Sequence, residues 1–400
     1  MSNVNDLENL LKRFVEIGPV GCGVSVCKNG KEIINLCVGY ADLEAKRPLK
    51  SNDIIRLFSN TKPFTAASML TLYEKGKVLL TDPIEKYIPE FANPRVAVVT
   101  HNGTFTTRPA ARSIQIRDVL SMASGLTYGT QMAGGTVSMT NIVTQEVLDE
   151  LESRGSFTVR EFAKEMSRVP LLFDPGTSWA YGKSLDVAAA IVEVIADMDF
   201  GEYLKKAIFD PLGMEDTFFF LPEEKKNRLA RQYTGRDAEG NVEISEGLDF
   251  MYNAARKFEE GGAGLLSTMD DFSKFAAMLS MGGTLNGARV MSRNTIDLMR
   301  ENFLNPQQLA DFQASQENDW QFARGYGYGC GVRTMIDRVY GGSNSRLGEF
   351  GWSGAAGTWL MADPSQNLSA VYVQQVLPNL YESDFHPRLR AVINSLEEID

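Results

Sequence analysis

Histidine is nearly absent from the sequence, which contains two in 400 residues, His101 and His386. A Ser-His-Asp triad would need one of them, and a histidine-rich metal site is hard to assemble from two residues so placed. No serine lies in the pattern G-x-S-x-G, which argues against the nucleophile elbow of an α/β-hydrolase. If the chain is a serine hydrolase, the sequence therefore favours a base other than histidine.

Positive charge is in the minority, with 40 Lys and Arg against 51 Asp and Glu and a net charge of -11. Because no basic run offsets this balance, nucleic acid and anionic membranes are disfavoured as partners, and a small-molecule substrate fits better. No stretch is long and apolar enough for a membrane span, and the acidic N-terminus does not resemble a signal peptide. The chain as given is expected to be cytoplasmic, unless a leader was removed.

Cysteine is limited to four residues without C-x-x-C spacing: Cys22, Cys27, Cys37 and Cys330. They lie in strand-like or Gly-rich surroundings, which favours buried free thiols over a disulfide framework or a zinc site. Neither a metal nor a cofactor is expected.

The apolar pattern predicts strands near both ends of the chain and helices in the middle. Residues 21–40 alternate and are rich in Val and Ile, which predicts a β-hairpin, and strand-like runs return between 326 and 373. Residues 93–112 resemble a polar hairpin. A polar stretch is predicted over 305–317, and a last helix over 387–397.

This order predicts an α+β fold in one domain, 1–400, with a sheet built from both ends of the chain. The sheet lobe would comprise residues 1–58 and 265–400. Residues 59–264 would form an inserted, mainly helical lobe. A cleft between the lobes is the expected place for a site.

Ser59 and Lys62 stand three residues apart at the head of an apolar helix. If Ser59 caps that helix, the two side chains share a face, and an amine lies beside a hydroxyl. A desolvated lysine could then take the serine proton, and the helix dipole would favour an alkoxide. A capping serine followed by a surface lysine explains the same pair, so the rest of the chain must decide.

Three motifs occur in order along the chain: Ser59-Asn60-Thr61-Lys62, Tyr181-Gly182-Lys183 and Trp352-Ser353-Gly354. Their order and spacing resemble the active-site elements of the serine β-lactamase and penicillin-binding-protein superfamily. The resemblance is strongest to class C β-lactamase-like esterases, the family VIII carboxylesterases. It implies a β-lactamase/transpeptidase-like fold, with an antiparallel sheet flanked by helices and the site in the cleft beside an inserted helical lobe.

The resemblance also implies roles for these residues. Ser59 would attack an acyl carbonyl, while Lys62 and Tyr181 hold and relay its proton. The cations Lys62 and Lys183 would favour a tyrosinate at Tyr181. Whether the base is Lys62 or Tyr181 stays open. Tyr181 packed beside Trp179 in a turn is the alternative without catalysis.

In such enzymes the oxyanion forms between two backbone N–H groups, which by position are those of Ser59 and Ala355. Each donor is typically worth ~3 kcal/mol to the transition state. The glycine-rich run 351–357 suits close approach of substrate to backbone, although a tightly packed core strand also favours small residues. Trp352, Ser353, Gly354 and Lys183 would line the substrate site.

Two departures from the β-lactamases concern the substrate. Those enzymes carry Tyr-x-Asn and Lys-Thr-Gly, whereas this chain has Lys183 and Trp352 at the positions of the Asn and the first Lys. Those two residues normally contact the amide and carboxylate of a β-lactam, and a tryptophan offers an apolar wall instead. Uncharged acyl esters are therefore the expected substrates, with weak lactam hydrolysis as a side activity. The alternatives are a D-amino-acid peptidase or amidase, an acyltransferase and a catalytically silent binder.

Other candidates carry less weight. Tyr128 and several other aromatic residues would line an acyl pocket or belong to the core. The acidic pairs Glu223-Glu224 and Glu259-Glu260 are predicted to be solvated.

Overall fold

The computed structural model describes residues 2–100, 104–132, 137–245, 247, 249–318 and 321–396. The strands are β1 Gly21–Lys28, β2 Lys31–Asp42, β3 Arg47–Pro48, β4 Ile54–Arg56, β5 Arg95–Val99, β6 Phe105–Pro109, β7 Leu266–Thr268, β8 Thr284–Leu285, β9 Ala288–Arg289, β10 Tyr326–Tyr328, β11 Arg333–Met335, β12 Phe350–Gly351, β13 Trp359–Asp363 and β14 Leu368–Gln374. The helices are α1 Ser2–Ile17, α2 Thr61–Glu74, α3 Ile116–Leu120, α4 Met139–Ser153, α5 Val159–Met166, α6 Ser184–Ala196, α7 Phe200–Leu204, α8 Asp210–Leu212, α9 Met269–Ser280, α10 Arg293–Met299, α11 Pro306–Asn318 and α12 Glu382–Ile393.

The main sheet joins the two ends of the chain. Its strands are antiparallel and lie in the order β10-β11-β12-β13-β14-β1-β2-β3. Strand β1 is central, because Val24 pairs with Leu36 of β2 on one side and with Tyr372 of β14 on the other. The early hairpin therefore needs the last strand of the chain to complete its hydrogen bonds.

Both faces of this sheet are covered by helices. Alternate residues of β1, Val24 and Val26, face α1 and α12, where the ring of Phe14 stacks on that of Phe385 at 3.7 Å. On the opposite face α9 packs against β1, β13 and β14. The alternation follows from the two-residue period of a strand, which sends neighbouring side chains to opposite faces.

Helix α2 is the centre of the helical part of the protein. Its residues are buried from Thr61 to Leu72, and α6 packs along it. The helix is thus enclosed on all sides, and its polar residues are buried together with its apolar ones.

The predicted fold class, the 21–40 hairpin and the polar hairpin β5–β6 are confirmed. The polar stretch 305–317 is occupied by helix α11, which the sequence did not predict. The last helix begins at Glu382 and not at Pro387, which lies inside it. The division into two lobes stays a prediction. Within the described ranges, each helix is too short or too polar to cross a membrane.

Candidate active site

The turn that carries Ser59 lies between strand β4 and helix α2. Residues Phe58–Asn60 form one 3₁₀ turn, and Asn60, not Ser59, is the N-cap of α2. The expected cap is therefore wrong by one residue. Phe58 has a φ of 46°, in the left-handed region that costs a bulky residue about 1 to 3 kcal/mol. The chain thus turns sharply just before Ser59, whose side chain is half-buried.

Side-chain hydrogen bonds fasten this turn to the segment that follows the third motif. Asn60 Nδ2 donates to Thr358 Oγ1 at 2.9 Å, and Thr358 Oγ1 donates to Leu57 O at 3.1 Å. A Cβ atom on Gly354 would lie 2.2 Å from Leu57 O, so only glycine fits there. The segment with Gly354 therefore packs directly against the turn that carries Ser59.

Lys62 lies under Ser59 with no exposed surface. Its Nζ donates to Ser59 Oγ at 3.1 Å, to Tyr128 Oη at 3.1 Å and to Gly262 O at 2.8 Å. Burial opposes the charge of Lys62, but the nearby Tyr128 and Tyr181 outweigh it, so its pKa lies above the ordinary value. The oxygen atoms around the amine thus favour an ammonium that donates to the serine.

Tyr181 lies beside the Lys62 amine and is half-buried. Lys62 Nζ lies 4.5 Å from the centre of the Tyr181 ring. The indole Nε1 of Trp352 donates to Tyr181 Oη at 3.1 Å. The second and third motifs therefore meet at one oxygen atom.

Tyr128 is a site residue whose role the sequence did not indicate. The sequence predicts a place in an acyl pocket or the core, and the structure shows that the Tyr128 hydroxyl accepts a hydrogen bond from Lys62. Asn141 Nδ2 donates to Tyr128 O at 2.8 Å and fixes that segment. Burial raises the pKa of Tyr128, which keeps its hydroxyl protonated. Its place in the chain, in a loop without a motif, gave no signal of this contact.

Lys183 is buried in an ion pair at the start of α6, while its place along the substrate site stays a prediction. Its Nζ donates to Glu260 Oε1 at 2.6 Å and lies 3.8 Å from Asp186 Oδ2. Burial disfavours the Glu260 carboxylate, but Lys183 and Arg256 outweigh it and hold its pKa below the usual value. The prediction that Glu260 is solvated is wrong, because it is buried in this ion pair.

The remaining residues of the third motif lie on the chain between β12 and β13. Ser353 forms a β-bridge with Trp359, and Gly354 accepts a backbone hydrogen bond from Gly357 at 2.7 Å. Ala355 is exposed in that tight turn. The use of the Ala355 N–H as an oxyanion donor stays a prediction.

His386 lies on helix α12 and is buried, and burial lowers its pKa to about 3. Its Nε2 lies 3.3 Å from Gly357 O. His101 lies outside the described residues. In the described ranges, no group of three or more His, Cys, Asp or Glu side chains could hold a metal ion. The four cysteines lie among these residues and are free thiols, as predicted; Cys22, Cys27 and Cys330 are also buried as predicted, whereas Cys37 is half-buried.

Comparison with known proteins agrees with this geometry. The family model named Beta-lactamase matches residues 7–394. The chain belongs to the beta-lactamase family. Within this family it is 31% identical to Protein Rv1367c of Mycobacterium tuberculosis over 347 residues, which cover 86% of this chain and 82% of the relative. Esterase EstB of Burkholderia gladioli is 27% identical over 371 residues, which cover 88% and 85%.

Solved structures share the beta-lactamase family fold. EstCE1, described as a hydrolase with promiscuous acyltransferase activity, superposes with a TM-score of 0.77 at 21% identity, over 98% of this chain and 99% of that one. A family VIII carboxylesterase gives a TM-score of 0.72 at 19% identity, over 98% and 96%. The resemblance predicted from the three motifs is confirmed, and the relatives' names support hydrolysis or transfer of acyl groups in this family.

Proposed function

We propose that the protein is a serine carboxylesterase that cleaves small to medium acyl esters through an acyl-Ser59 intermediate. The observation that carries this proposal is the 3.1 Å hydrogen bond from the buried Lys62 ammonium to Ser59 Oγ, beside Tyr181. A hydroxyl flanked by an ammonium and a phenol is set up for nucleophilic catalysis without histidine. The name of the relative EstB supports an ester substrate.

Tyr181 is the proposed general base. Lys62 already donates to Ser59, so an ammonium there cannot accept the serine proton. Tyr181 lies beside the Lys62 amine, and its hydroxyl oxygen accepts a hydrogen bond from Trp352 Nε1. As Ser59 Oγ bonds the acyl carbon, its proton passes to Tyr181 and then to the departing alcohol when the ester C–O bond breaks. A water molecule then attacks the acyl carbon, and its proton passes to Tyr181 and on to Ser59 Oγ as the acyl–Ser59 bond breaks. The carboxylic acid leaves and Ser59 is free again.

The backbone N–H groups of Ser59 and Ala355 are the proposed oxyanion donors. The close packing of Gly354 on Leu57 supports this assignment, because it brings the two chain segments together. Each donor typically contributes about 3 kcal/mol to the transition state. Trp352, Ser353 and Gly354 then form the wall along which the acyl group lies.

Uncharged esters fit better than β-lactams because of two side chains. Trp352 stands where a lactamase has the lysine that meets the lactam carboxylate. Lys183 replaces the lactamase asparagine, and its charge is compensated by Glu260. Weak lactam hydrolysis remains the proposed side activity. Acyl transfer to an alcohol is the second candidate, supported by the description of EstCE1.

The test measures hydrolysis of p-nitrophenyl acetate, butyrate and octanoate and of a chromogenic cephalosporin, together with intact mass. Ser59→Ala is expected to lower ester kcat by at least about 10³-fold and to abolish the acyl adduct. Ser51→Ala, a serine in the loop before β4, is the control and is expected to behave as wild type. An added alcohol distinguishes acyl transfer from hydrolysis, because transfer yields a new ester of that alcohol and hydrolysis yields the free acid.

Fast ester turnover with an adduct on Ser59 and slow lactam turnover would support the proposal. The absence of both turnover and adduct in the wild type would sink it. A cephalosporin rate above the ester rates would overturn the substrate class alone.

A further inference from the structure

The loop that carries Ala355 is tight and lies just before β13. The Gly357 N–H donates to Gly354 O at 2.7 Å, and the Gly354 N–H donates to Thr358 O at 2.8 Å. Ala355 is exposed, while Gly354, Gly357 and Thr358 are buried. The direction of the Ala355 N–H is therefore set by how the buried residues of this loop are anchored.

Gly357 is one of these anchors. Its φ is 92°, in the left-handed region that favours glycine. A Cβ atom at this position would lie 2.0 Å from Gln374 Nε2, so β14 packs directly on the loop. Its carbonyl oxygen lies 3.3 Å from Nε2 of His386, on α12. A strand and a helix thus fix this one residue.

The ring of His386 is held by two aromatic side chains of the sheet. It stacks on Trp359 of β13 with ring centres 5.9 Å apart, and Tyr372 of β14 meets it edge-on at 6.2 Å. His386 is 1% exposed. Because these neighbours belong to the sheet, the orientation of the ring does not depend on the contact between α1 and α12.

His386 is a neutral donor in this contact. A carbonyl oxygen can only accept, so the proton of the imidazole lies on Nε2. Burial lowers the pKa of His386 to about 3, the cations Arg333 and Arg390 add to this effect, and the bond to Gly357 opposes it. Arg390 Nε in turn lies 3.8 Å from Glu349 Oε2. The imidazole therefore keeps one N–H donor throughout the pH range of an esterase assay.

A second anchor ties the loop to the turn that carries Ser59. Thr358 Oγ1 accepts a hydrogen bond from Asn60 Nδ2 at 2.9 Å. Oxyanion donors act over a narrow range, about 2.7–3.1 Å from the oxygen. The anchors at Thr358 and Gly357 together set where the Ala355 N–H lies relative to that of Ser59.

We propose that His386 is a positioning residue whose Nε2–H holds the Gly357 carbonyl and so fixes the loop that presents the Ala355 N–H to the oxyanion. It acts through the backbone of the loop and takes no part in proton transfer. This inference rests on the proposed acyl-Ser59 chemistry and on the proposed use of the Ala355 N–H. It gives one of the two histidines of the chain a role other than that of a base.

The first test compares His386→Leu with His386→Gln in the hydrolysis of p-nitrophenyl butyrate. Leucine keeps much of the volume and removes the donor, so kcat is expected to fall about 10- to 100-fold, less than the loss of a whole oxyanion donor. KM should change less than about twofold, because the substrate contacts stay in place. Glutamine reaches about as far and keeps an N–H, so its kcat should stay within about threefold of wild type. A wild-type kcat in His386→Leu, or equal losses in both variants, would overturn the proposal.

A trifluoromethyl ketone with a butyl chain tests the oxyanion directly. Ser59 Oγ bonds the ketone carbon, the serine proton passes to Tyr181, and the carbonyl electron pair moves onto the oxygen, which becomes the oxyanion. Since this adduct resembles the transition state, its Ki should rise in His386→Leu by about the factor by which kcat falls. An unchanged Ki beside a lowered kcat would overturn the proposal.

Trp359→Phe is the matched control for packing. It keeps an aromatic ring beside His386 and removes an indole N–H that has no hydrogen-bond partner in the described part of the chain. Its kcat is expected to lie within about twofold of wild type. A loss as large as that of His386→Leu would show that the packing of the ring, and not its N–H, supports the loop.

NMR of the ¹⁵N-histidine-labelled wild type covers the case in which His386→Leu fails to fold. The chain has two histidines, so the signal that is missing in His386→Gln belongs to His386. We expect the Nε2–H tautomer and no titration between pH 5 and 9, whereas an ordinary histidine titrates near pH 6.5. An Nδ1–H tautomer, or a titration within that range, would overturn the proposal.

Intact mass keeps this inference apart from the proposed function. A wild type that forms no adduct on Ser59 refutes the proposed function. A wild-type adduct together with an undiminished kcat in His386→Leu refutes the role of His386 alone.

Discussion

Trp352 shows how much the orientation of one side chain decides at this site. From the sequence it was expected to be an apolar wall in place of a lysine. In the structure its indole N–H also bonds Tyr181 Oη at 3.1 Å. Tryptophan has both an apolar face and a polar edge, and sequence alone cannot tell which of them meets the neighbouring residue. The third motif thus reaches the proposed base as well as the substrate.

Replacing Trp352 by Phe tests this contact. The ring remains but the donor is lost, so kcat for p-nitrophenyl butyrate is expected to fall about 10- to 100-fold, since hydrogen bonds to charged groups are worth roughly 1.5–3 kcal/mol. KM should change little. Steady-state kinetics with a thermal melt provide the measurement.

Tyr328→Phe is the control for that variant. The Tyr328 ring packs edge-on against Trp352 at 5.1 Å. Its buried hydroxyl has no hydrogen-bond partner among the described residues. Removing that hydroxyl should leave kcat within about twofold of wild type. Equal losses in both variants would mean that ring packing, and not the indole N–H, supports Tyr181.

The sequence found the site residues that occur in motifs and missed those that do not. Ser59, Lys62 and Tyr181 were identified by spacing, and the structure brings them together. Tyr128 and Asp186 reach Lys62 or its acceptor from a loop and a helix face. Since only the tertiary fold creates those contacts, no local pattern could have indicated them.

At the scale of elements, the start of α6 and the segment before β7 are joined by a buried ion pair. Lys183→Asn would install the residue that lactamases carry, but it removes the ammonium that lies 2.6 Å from Glu260 Oε1 and 3.8 Å from Asp186 Oδ2, two buried acids. We expect the free energy of unfolding to fall by about 3–5 kcal/mol at pH 8. Urea unfolding measures this, and cephalosporin turnover should not rise.

The stability that Lys183→Asn loses depends on pH, because Glu260 and Asp186 can bind protons. Without Lys183 their pKa values rise in the folded state, so their stabilising protonated forms are lost as the pH increases. The deficit should therefore be smaller at pH 5 than at pH 8. Lys183→Met combined with Glu260→Gln should recover at least half of the lost free energy of unfolding, because the double variant removes both charges of the ion pair. A double variant no more stable than the single one would contradict this pairing.

Two helices show where element prediction from sequence reached its limit. Residues 305–317 contain few apolar positions, yet α11 forms there, with Phe312 packed on Trp179. A single buried anchor is too weak a pattern to indicate a helix. Helix α12 contains Pro387 in its interior, although proline usually marks a helix start. Packing on the sheet outweighed local preference in both cases.

At the scale of the whole molecule, one face of the sheet depends on helices from both ends of the chain. Phe14 of α1 is almost fully buried and stacks on Phe385 of α12. Phe14→Ala should lower the free energy of unfolding by about 3–5 kcal/mol, the usual cost of emptying an aromatic site. At 25 °C the folded protein should keep its kcat, because α9 and the sheet separate this face from Ser59.

Ile17→Ala is the matched control on the same helix. Ile17 is 45% exposed, so its truncation should change the unfolding free energy by no more than about 0.5 kcal/mol. Denaturant midpoints and kcat, measured on the same samples, complete the comparison. A large loss of kcat in folded Phe14→Ala would show that the two faces of the sheet are coupled.

The aromatic side chains around Tyr181 also have an optical consequence. Of the four tryptophans in the sequence, Trp179 and Trp352 lie with ring centres 6.2 and 5.6 Å from that of Tyr181. Trp359 lies in the opposite face of the sheet, against His386. An acyl group on Ser59 would alter the polarity around the first two indoles. Their emission thus offers a built-in fluorescent signal with which stopped-flow experiments can follow turnover of substrates that carry no dye.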